Sequence, residues 1–312
     1  EEESFFFKLS NWEKKLLDYY DKNPEFIRPE SRRNEVISFV KGGLKDLSVS
    51  RKSITWGINV PSQKDHIIYV WLDALTNYLS ALDYPNIDTD KYKNFWPASV
   101  HIIGKDILRF HAVYWPAFLL AANLPLPKTI YGHGWILSNE EKMSKSKGNI
   151  LDPLEIIDKY GLDPLRFYLL KEVSFGNDGN ISKEKLESCI NSDLANNYGN
   201  LCQRVISFNE KNLNLEIPKN IKFNNEDLNL LNKFKENHSK IENAINKQDI
   251  NFYMNFLMET LFAANKYFND QEPWNKKNDP DRLNTIISVS YTHLRAHETD
   301  SYLVCRLRRE KK

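Results

Sequence analysis

The chain has 312 residues, 43 Lys+Arg against 42 Asp+Glu, 41% hydrophobic and 12% aromatic content. It is long enough for two or three domains with a sizeable core, and its near-zero net charge excludes a whole-surface field for nucleic acid, so any RNA contact must be a local patch. No apolar run reaches membrane-spanning length and nothing resembles a signal peptide, while three cysteines without metal-ligand spacing point to a reducing, cytoplasmic setting.

Residues 5 to 48 read as mostly helical: apolar residues recur at helical spacing from Phe5 through Trp12, Leu16 and Tyr20, and a second run covers Asn34 to Leu44, stopping near Gly42-Gly43. Ile67 to Leu72 is short, apolar and rich in β-formers, and reads as a buried strand, with Asp73 capping a helix over Ala74 to Leu82. Val100 to Ile103 repeats the pattern, with Gly104 and then Asp106 as a cap. The apolar helix from Ile107 to Ala122 should kink at Pro116. Thr129 to Leu137 makes a third strand. Strand–helix–strand–helix–strand implies a parallel, doubly wound α/β sheet whose ligands sit beyond the carboxyl ends of its strands.

Next comes Lys142-Met143-Ser144-Lys145-Ser146-Lys147-Gly148-Asn149, three lysines and two hydroxyls in seven positions. It is either a cationic clamp for a polyphosphate, with glycine allowing close backbone approach, or a solvated turn. Asp152-Pro153 starts a helix that Gly161 ends, and Asp163-Pro164 starts another running to about Val173. From Ser182 to about Ser288 the pattern is helical, with segments to Phe208, over Glu226 to Ile245 and over Ile250 to Phe268, and an α-bundle is expected. After that the composition changes abruptly, arginine and histidine replacing Asn, Lys and Ile. Residues 289–312 are therefore expected to be a non-native tail rather than an RNA-binding arm.

Two faces stand out. Trp71 ends one strand, with Ala74 and Tyr78 three and seven positions further on, on one face of the next helix, and Ile107, His111 and Trp115 are four apart on one face of another. They enclose either an apolar slot with aromatic walls and an imidazole or phenol at its tip, suited to a thioether, or an ordinary aromatic core with a satisfied histidine. In the bundle, Asn200 and Arg204 are four apart and Pro273-Trp274 sits at a helix end, which by themselves suit a surface and a packing role equally well.

The lysine loop resembles the KMSKS signature of class I aminoacyl-tRNA synthetases, which valyl, isoleucyl and leucyl members share. The blocks Tyr69-Val70-Trp71-Leu72-Asp73-Ala74-Leu75-Thr76-Asn77-Tyr78 and Gly104-Lys105-Asp106-Ile107, with Arg109-Phe110-His111 and Tyr114-Trp115-Pro116-Ala117, are similar to the methionyl family instead. The resemblance implies that Trp71, Ala74, Tyr78, Ile107, His111 and Trp115 line a methionine pocket. It implies that Gly104, Asp106 and His133 lie near the nucleotide with Lys142, Met143, Ser144, Lys145 and Ser146, that Lys142, Lys145 and Arg51 act on the ATP phosphates, and that Asn200, Arg204 and Trp274 read a CAU anticodon. Leu75 stands where some members carry proline, which alters pocket shape but not substrate class.

The implied architecture is residues 1–51 as a helical connector, 52–137 as the second half of a Rossmann-like catalytic domain, 138–181 as a stem-contact fold and 182–288 as an anticodon-binding bundle. The implied activity is ATP- and Mg²⁺-dependent formation of methionyl-adenylate and its transfer to tRNA(Met), for initiation and elongation, with no zinc ligands in this chain. The family's His-Ile-Gly-His tetrapeptide does not occur here, and the chain opens on Glu1-Glu2-Glu3. It is therefore expected to be a fragment lacking that half of the site, inactive alone. A non-catalytic tRNA-binding module and a branched-chain synthetase relative are the competing classes.

Overall fold

The computed structural model describes residues 2–61, 63–138, 140–143, 150–216, 218 and 221–299, in two compact units that divide after Trp135. In the first, β1 (Phe6–Phe7) pairs antiparallel with β3 (Leu47–Ser48), and between them lie α1 (Glu13–Lys22), β2 (Ile27–Arg28) and α2 (Glu30–Lys41). Helix α1 buries Leu16 and Tyr20, one turn apart, and α2 buries Val36 and Val40, so both pack one stripe into a shared core. Then come β4 (Ser50–Arg51), β5 (Asn59–Val60), β6 (Gln63–Ile68), α3 (Val70–Ser80), α4 (Asp90–Phe95), β7 (His101–Gly104), α5 (Trp115–Ala121) and β8 (Ile130–His133).

A parallel sheet is present, in the order β2-β8-β7, with Ile130 opposite both Ile27 and His101, and Gly104 opposite His133. Its membership differs from the sequence expectation. The strand expected over Ile67 to Leu72 ends at Ile68 and belongs to a separate antiparallel sheet, β4-β6-β5. Helix α3 starts at Val70, so Trp71 stands in a first helical turn, and the N-cap is Tyr69 rather than Asp73. An apolar run this short does not distinguish a strand from the start of a buried helix. The third parallel strand is β2, from the stretch expected to be a helical connector.

The kink expected at Pro116 appears as a π-helical stretch, Phe110–Tyr114, just before it. Proline has no N–H to offer the Ala112 carbonyl four residues back, and the buried Tyr20 phenol donates to that carbonyl at 2.5 Å. Asp106 lies in a 3₁₀ turn, Lys105–Ile107, capped by Gly104.

The second unit opens with β9 (Ile136–Ser138), so the strand expected over Thr129 to Leu137 is two strands in two sheets. β9 is flanked by β10 (Glu141–Lys142), antiparallel, and β11 (Gly179–Ile181), parallel. Helix α6 (Pro153–Tyr160) starts where expected: the Asp152 carboxylate accepts the Leu154 N–H at 2.8 Å, and Gly161, at φ 90°, ends it. Helix α7 (Leu162–Glu172) follows. The bundle comprises α8 (Lys183–Cys189), capped by Ser182, a π-helical stretch Ile190–Gly199, α9 (Asn200–Leu213), α10 (Asn225–Glu236), α11 (His238–Asn246), α12 (Ile250–Asp270) and α13 (Pro280–Thr299). The single segment expected over Glu226 to Ile245 is broken at Asn237. Helix α13 runs through the composition change at residue 289 and buries Val289, His293 and Leu294, while residues 300–312 lie outside the described residues. No helix among the described residues is long and apolar enough to cross a membrane.

Candidate functional site

Helix α3 and the helix that follows β7 bring their aromatic faces together in the first unit. Trp71 stacks on Phe110 with centroids 3.7 Å apart and meets His111 edge-on at 6.4 Å. Tyr78, two turns beyond Trp71, reaches His111: its hydroxyl is 3.0 Å from Nε2, and Nδ1 is 3.0 Å from the Ile107 carbonyl. A carbonyl only accepts, so Nδ1 carries the proton, Nε2 accepts, and Tyr78 donates to it. Burial pushes His111 below the usual histidine range, which keeps the imidazole neutral and this order intact. Trp115 is fully buried, 6.3 Å from Tyr78. Four of the six residues expected here, Trp71, Tyr78, His111 and Trp115, thus form one aromatic cluster. Ile107 joins it through its backbone, and Ala74 lies exposed on α3 between Trp71 and Tyr78.

The cluster has members that sequence reasoning missed. His101 is 5% exposed, its ring 4.2 Å from Tyr78 and 6.3 Å from His111, and burial first, then the neighbouring His111, holds it down at about 4. Trp96 packs 6.2 Å from both His101 and Trp115. The signal for His101 was its place on β7: it alternates with Ile103 on the buried face while Ile102 faces out.

Beside this cluster, at the carboxyl ends of β7 and β8, Gly104, Asp106 and His133 converge. A Cβ on Gly104 would stand 2.6 Å from Asp106 Oδ1 and 4.0 Å from His133 Cε1, so only glycine leaves that cradle open. Trp135 Nε1 donates to Asp106 Oδ1 at 3.4 Å, and Lys105 Nζ lies over the Trp135 ring at 4.2 Å. A cavity of about 520 Å³ opens here, lined by Lys105, Arg109, the Arg32–Glu35 ion pair at 3.1 Å, Asp106, Phe110 and Trp135. The Asp106 carboxylate, the aromatic walls and the Lys105 and Arg109 cations suit a nucleotide's ribose, base and phosphates. Arg51 is held on β4 by its own contacts: Nη1 donates to Ser48 Oγ at 2.5 Å and to the Ser50 carbonyl at 2.7 Å, and the guanidinium lies over the Tyr69 ring at 4.4 Å.

In the second unit Lys142 ends β10 with its side chain exposed, and Met143, with Leu151 and Ile156, packs against the buried cluster of Tyr168, Ile181 and Leu186. Ser144, Lys145 and Ser146 lie outside the described residues. In the bundle Asn200 and Arg204 share one face of α9. The Arg204 guanidinium sits 5.1 Å above Phe268 and donates to Asn269 Oδ1 at 3.4 Å, and Trp274, 42% exposed, meets the same Phe268 ring with centroids 6.5 Å apart. Phe268, missed from the sequence, is buried and serves as the floor on which half-buried Arg204 and exposed Trp274 meet.

The model of the family described as tRNA synthetases class I (M) matches residues 1–206, and the chain belongs to that family. Its relatives include the methionine–tRNA ligases of Brucella suis biovar 1, 49% identical over 296 residues, and Rickettsia conorii, 50% identical over 290 residues. These matches cover 95% and 92% of this chain and 57% of each relative. Mycobacterium tuberculosis methionyl-tRNA synthetase in complex with methionyl-adenylate superposes with a TM-score of 0.91 at 45% identity, over 94% of this chain and 59% of that one. The chain thus spans somewhat over half the length of these relatives.

Proposed function

We propose that the chain is part of a methionine–tRNA ligase, which joins methionine to ATP as methionyl-adenylate and passes the methionyl group to tRNA(Met) in the cytoplasm. The observation that carries this reading is the Tyr78–His111 tip at the end of the Trp71–Phe110 wall. A thioether is soft, apolar and only a weak acceptor. It suits an aromatic slot, where sulfur–ring contacts contribute about 0.3–1.5 kcal/mol, better than it suits a site lined with strong donors. The fixed proton order at the tip commits the Tyr78 hydroxyl to His111, so the tip is not a free donor for a strongly accepting side chain. A branched side chain lacks the reach and the polarisable sulfur that the slot accommodates.

In this reading Gly104 admits the nucleotide and Asp106 accepts from its ribose hydroxyls, with His133 alongside. The methionine carboxylate then attacks the α-phosphorus of ATP and pyrophosphate leaves. No covalent nucleophile on the protein is required, so the chain's part is positioning and stabilisation of charge growing on the phosphates, by Arg51, Lys142 and Lys145. Mg²⁺ bound to the triphosphate would neutralise part of its charge. Among the described residues the one carboxylate–thiol group of ligand-like geometry, Glu172, Cys189 and Asp193, does not fit it, because Lys171 Nζ already sits 3.0 Å from Asp193. At the bundle, an unstacked anticodon base lies on Trp274 while Asn200 and Arg204 read base edges, as in single-stranded RNA loops generally.

The test is a thermal-shift titration of the 312-residue chain with L-methionine, L-isoleucine and ATP. A ligand held only by the folded state stabilises it by about 2.7 kcal/mol at a hundredfold excess over its Kd. Methionine should raise the first unfolding transition and isoleucine should not. A shift with isoleucine, or none with methionine, would overturn the reading.

A further inference from the structure

We propose that the π-helical stretch Ile190–Gly199, locked by Asn197 and Asn265, is a positioning element that sets the azimuth at which Asn200 and Arg204 meet RNA. The proposal rests on the anticodon reading above and names residues that act through Asn200 and Arg204 without touching RNA themselves.

From α8 through α9 the chain is continuously helical, but the Asn200 N–H reaches back five residues to the Ala195 carbonyl and is shared with the Asn197 carbonyl. Such wide turns are uncommon and are concentrated at functional positions. Gly199 fits the widening: a Cβ there would stand 3.0 Å from the Leu194 carbonyl, five residues back, so a side chain would press on the turn. Because each α-helical residue turns the chain by about 100°, a change of one residue per turn upstream redirects every side chain that follows. Whether the stretch is wide or tight therefore decides which way Asn200 and Arg204 point.

The side chains then fix that choice. Asn197 Nδ2 donates to the Met258 carbonyl at 3.0 Å. Asn265 Nδ2 donates back to the Asn197 carbonyl at 2.8 Å and to its Oδ1 at 3.0 Å. Two amides thus tie the π stretch to α12 at points two turns apart, beside the apolar contacts of Leu201, Val205, Leu261 and Ala264. Apolar contacts tolerate small rotations of a helix, whereas a pair of amides with defined donors and acceptors tolerates few, since an unmade bond leaves a half-buried polar group unpaired. The same two faces continue to the RNA-facing patch. Arg204 is seven residues beyond Asn197 on α9's side, while Phe268 and Asn269, which touch Arg204, are three and four residues beyond Asn265 on α12. The lock and the patch are successive rungs of one helix–helix ladder.

The experiment uses the 312-residue chain and anticodon stem-loop RNAs carrying CAU or GAU, with Kd from fluorescence anisotropy and folding from circular dichroism at the assay temperature. The unsubstituted chain should prefer CAU by about tenfold, the low end of one stacked and read base. Asn265→Leu, which keeps shape and removes the donor, should cut that preference by about fivefold while GAU affinity stays the same. Asn265→Gln, which retains an amide donor, should keep most of it. Gly199→Ala, which leaves the amides intact and crowds the π turn, should also lower it, and it decides the matter if Asn265→Leu is unfolded. Folded variants with unchanged CAU preference would overturn the positioning role and leave the anticodon reading standing. Absence of any preference in the unsubstituted chain would overturn both.

Discussion

Acid should weaken the first unit through His101, and the size of the effect follows from its surroundings. The ring is 5% exposed, and the groups packed around it are Tyr78 from α3, Trp96 after α4 and His111, with no carboxylate among them to stabilise an imidazolium. Burial, reinforced by His111, lowers it from 6.5 to about 4. The unfolded chain therefore takes up this proton first, so the stabilisation is complete above pH 6.5 and is lost progressively as pH falls toward 4. The whole gap corresponds to about 3 kcal/mol, of which about 2 kcal/mol is felt at pH 5. His111, also lowered by burial, acts in the same direction. Six of the seven tryptophans lie in the first unit, so urea unfolding followed by tryptophan fluorescence reports on it. His101→Phe keeps a ring, removes the titration and removes a buried Nδ1 that has no hydrogen-bond partner. Between pH about 7.5 and about 5 the variant should lose about 2 kcal/mol less than the unsubstituted chain. Equal losses in the two proteins would refute the assignment of acid sensitivity to His101.

Three further substitutions test the other parts. Trp71→Ala removes the stack on Phe110 and the edge contact to His111, and should weaken methionine binding by more than about tenfold in calorimetric titration; a lower melting temperature with unchanged affinity would make Trp71 plain core. Gly104→Ala places a Cβ 2.6 Å from Asp106 Oδ1 and should weaken adenosine or ATP binding by about tenfold, leaving methionine affinity nearly unchanged in the same assay. Arg282→Ala removes the only cation paired with Asp227 among the described residues, a fully buried carboxylate held by Nη1 and Nη2 at 2.6 and 2.9 Å, leaving it the neutral donors Tyr267 and Asn224, and should destabilise the bundle by about 3 kcal/mol in a circular-dichroism melt.

The parts of this molecule that were readable from sequence are those whose geometry a helix sets locally. Ala74 and Tyr78, four apart, and His111 and Trp115, four apart, had to share faces once their segments were helical, and the Asp152 cap and the Gly161 stop are decided within one turn. Strand partnership has no such local code. Ile27-Arg28 is two residues long, between two helices, and nothing in it announces that β2 completes a parallel sheet with strands a hundred residues away. Ile67 and Ile68 carry the same β-forming character whether they pair parallel or antiparallel, and the choice is made by Ser50 and Asn59 across the ladder. Phe268 reads as one more apolar residue on α12, and its role as the buried floor beneath Arg204 and Trp274 emerges only when α9 sets Arg204 above it. The π stretch is hidden for a related reason: widening a helix by one residue per turn leaves its composition untouched and alters only which side chains face α12. What selects it is the pair Asn197 and Asn265, and amides that look like surface residues in one dimension become register pins when two helices bring them to hydrogen-bonding distance.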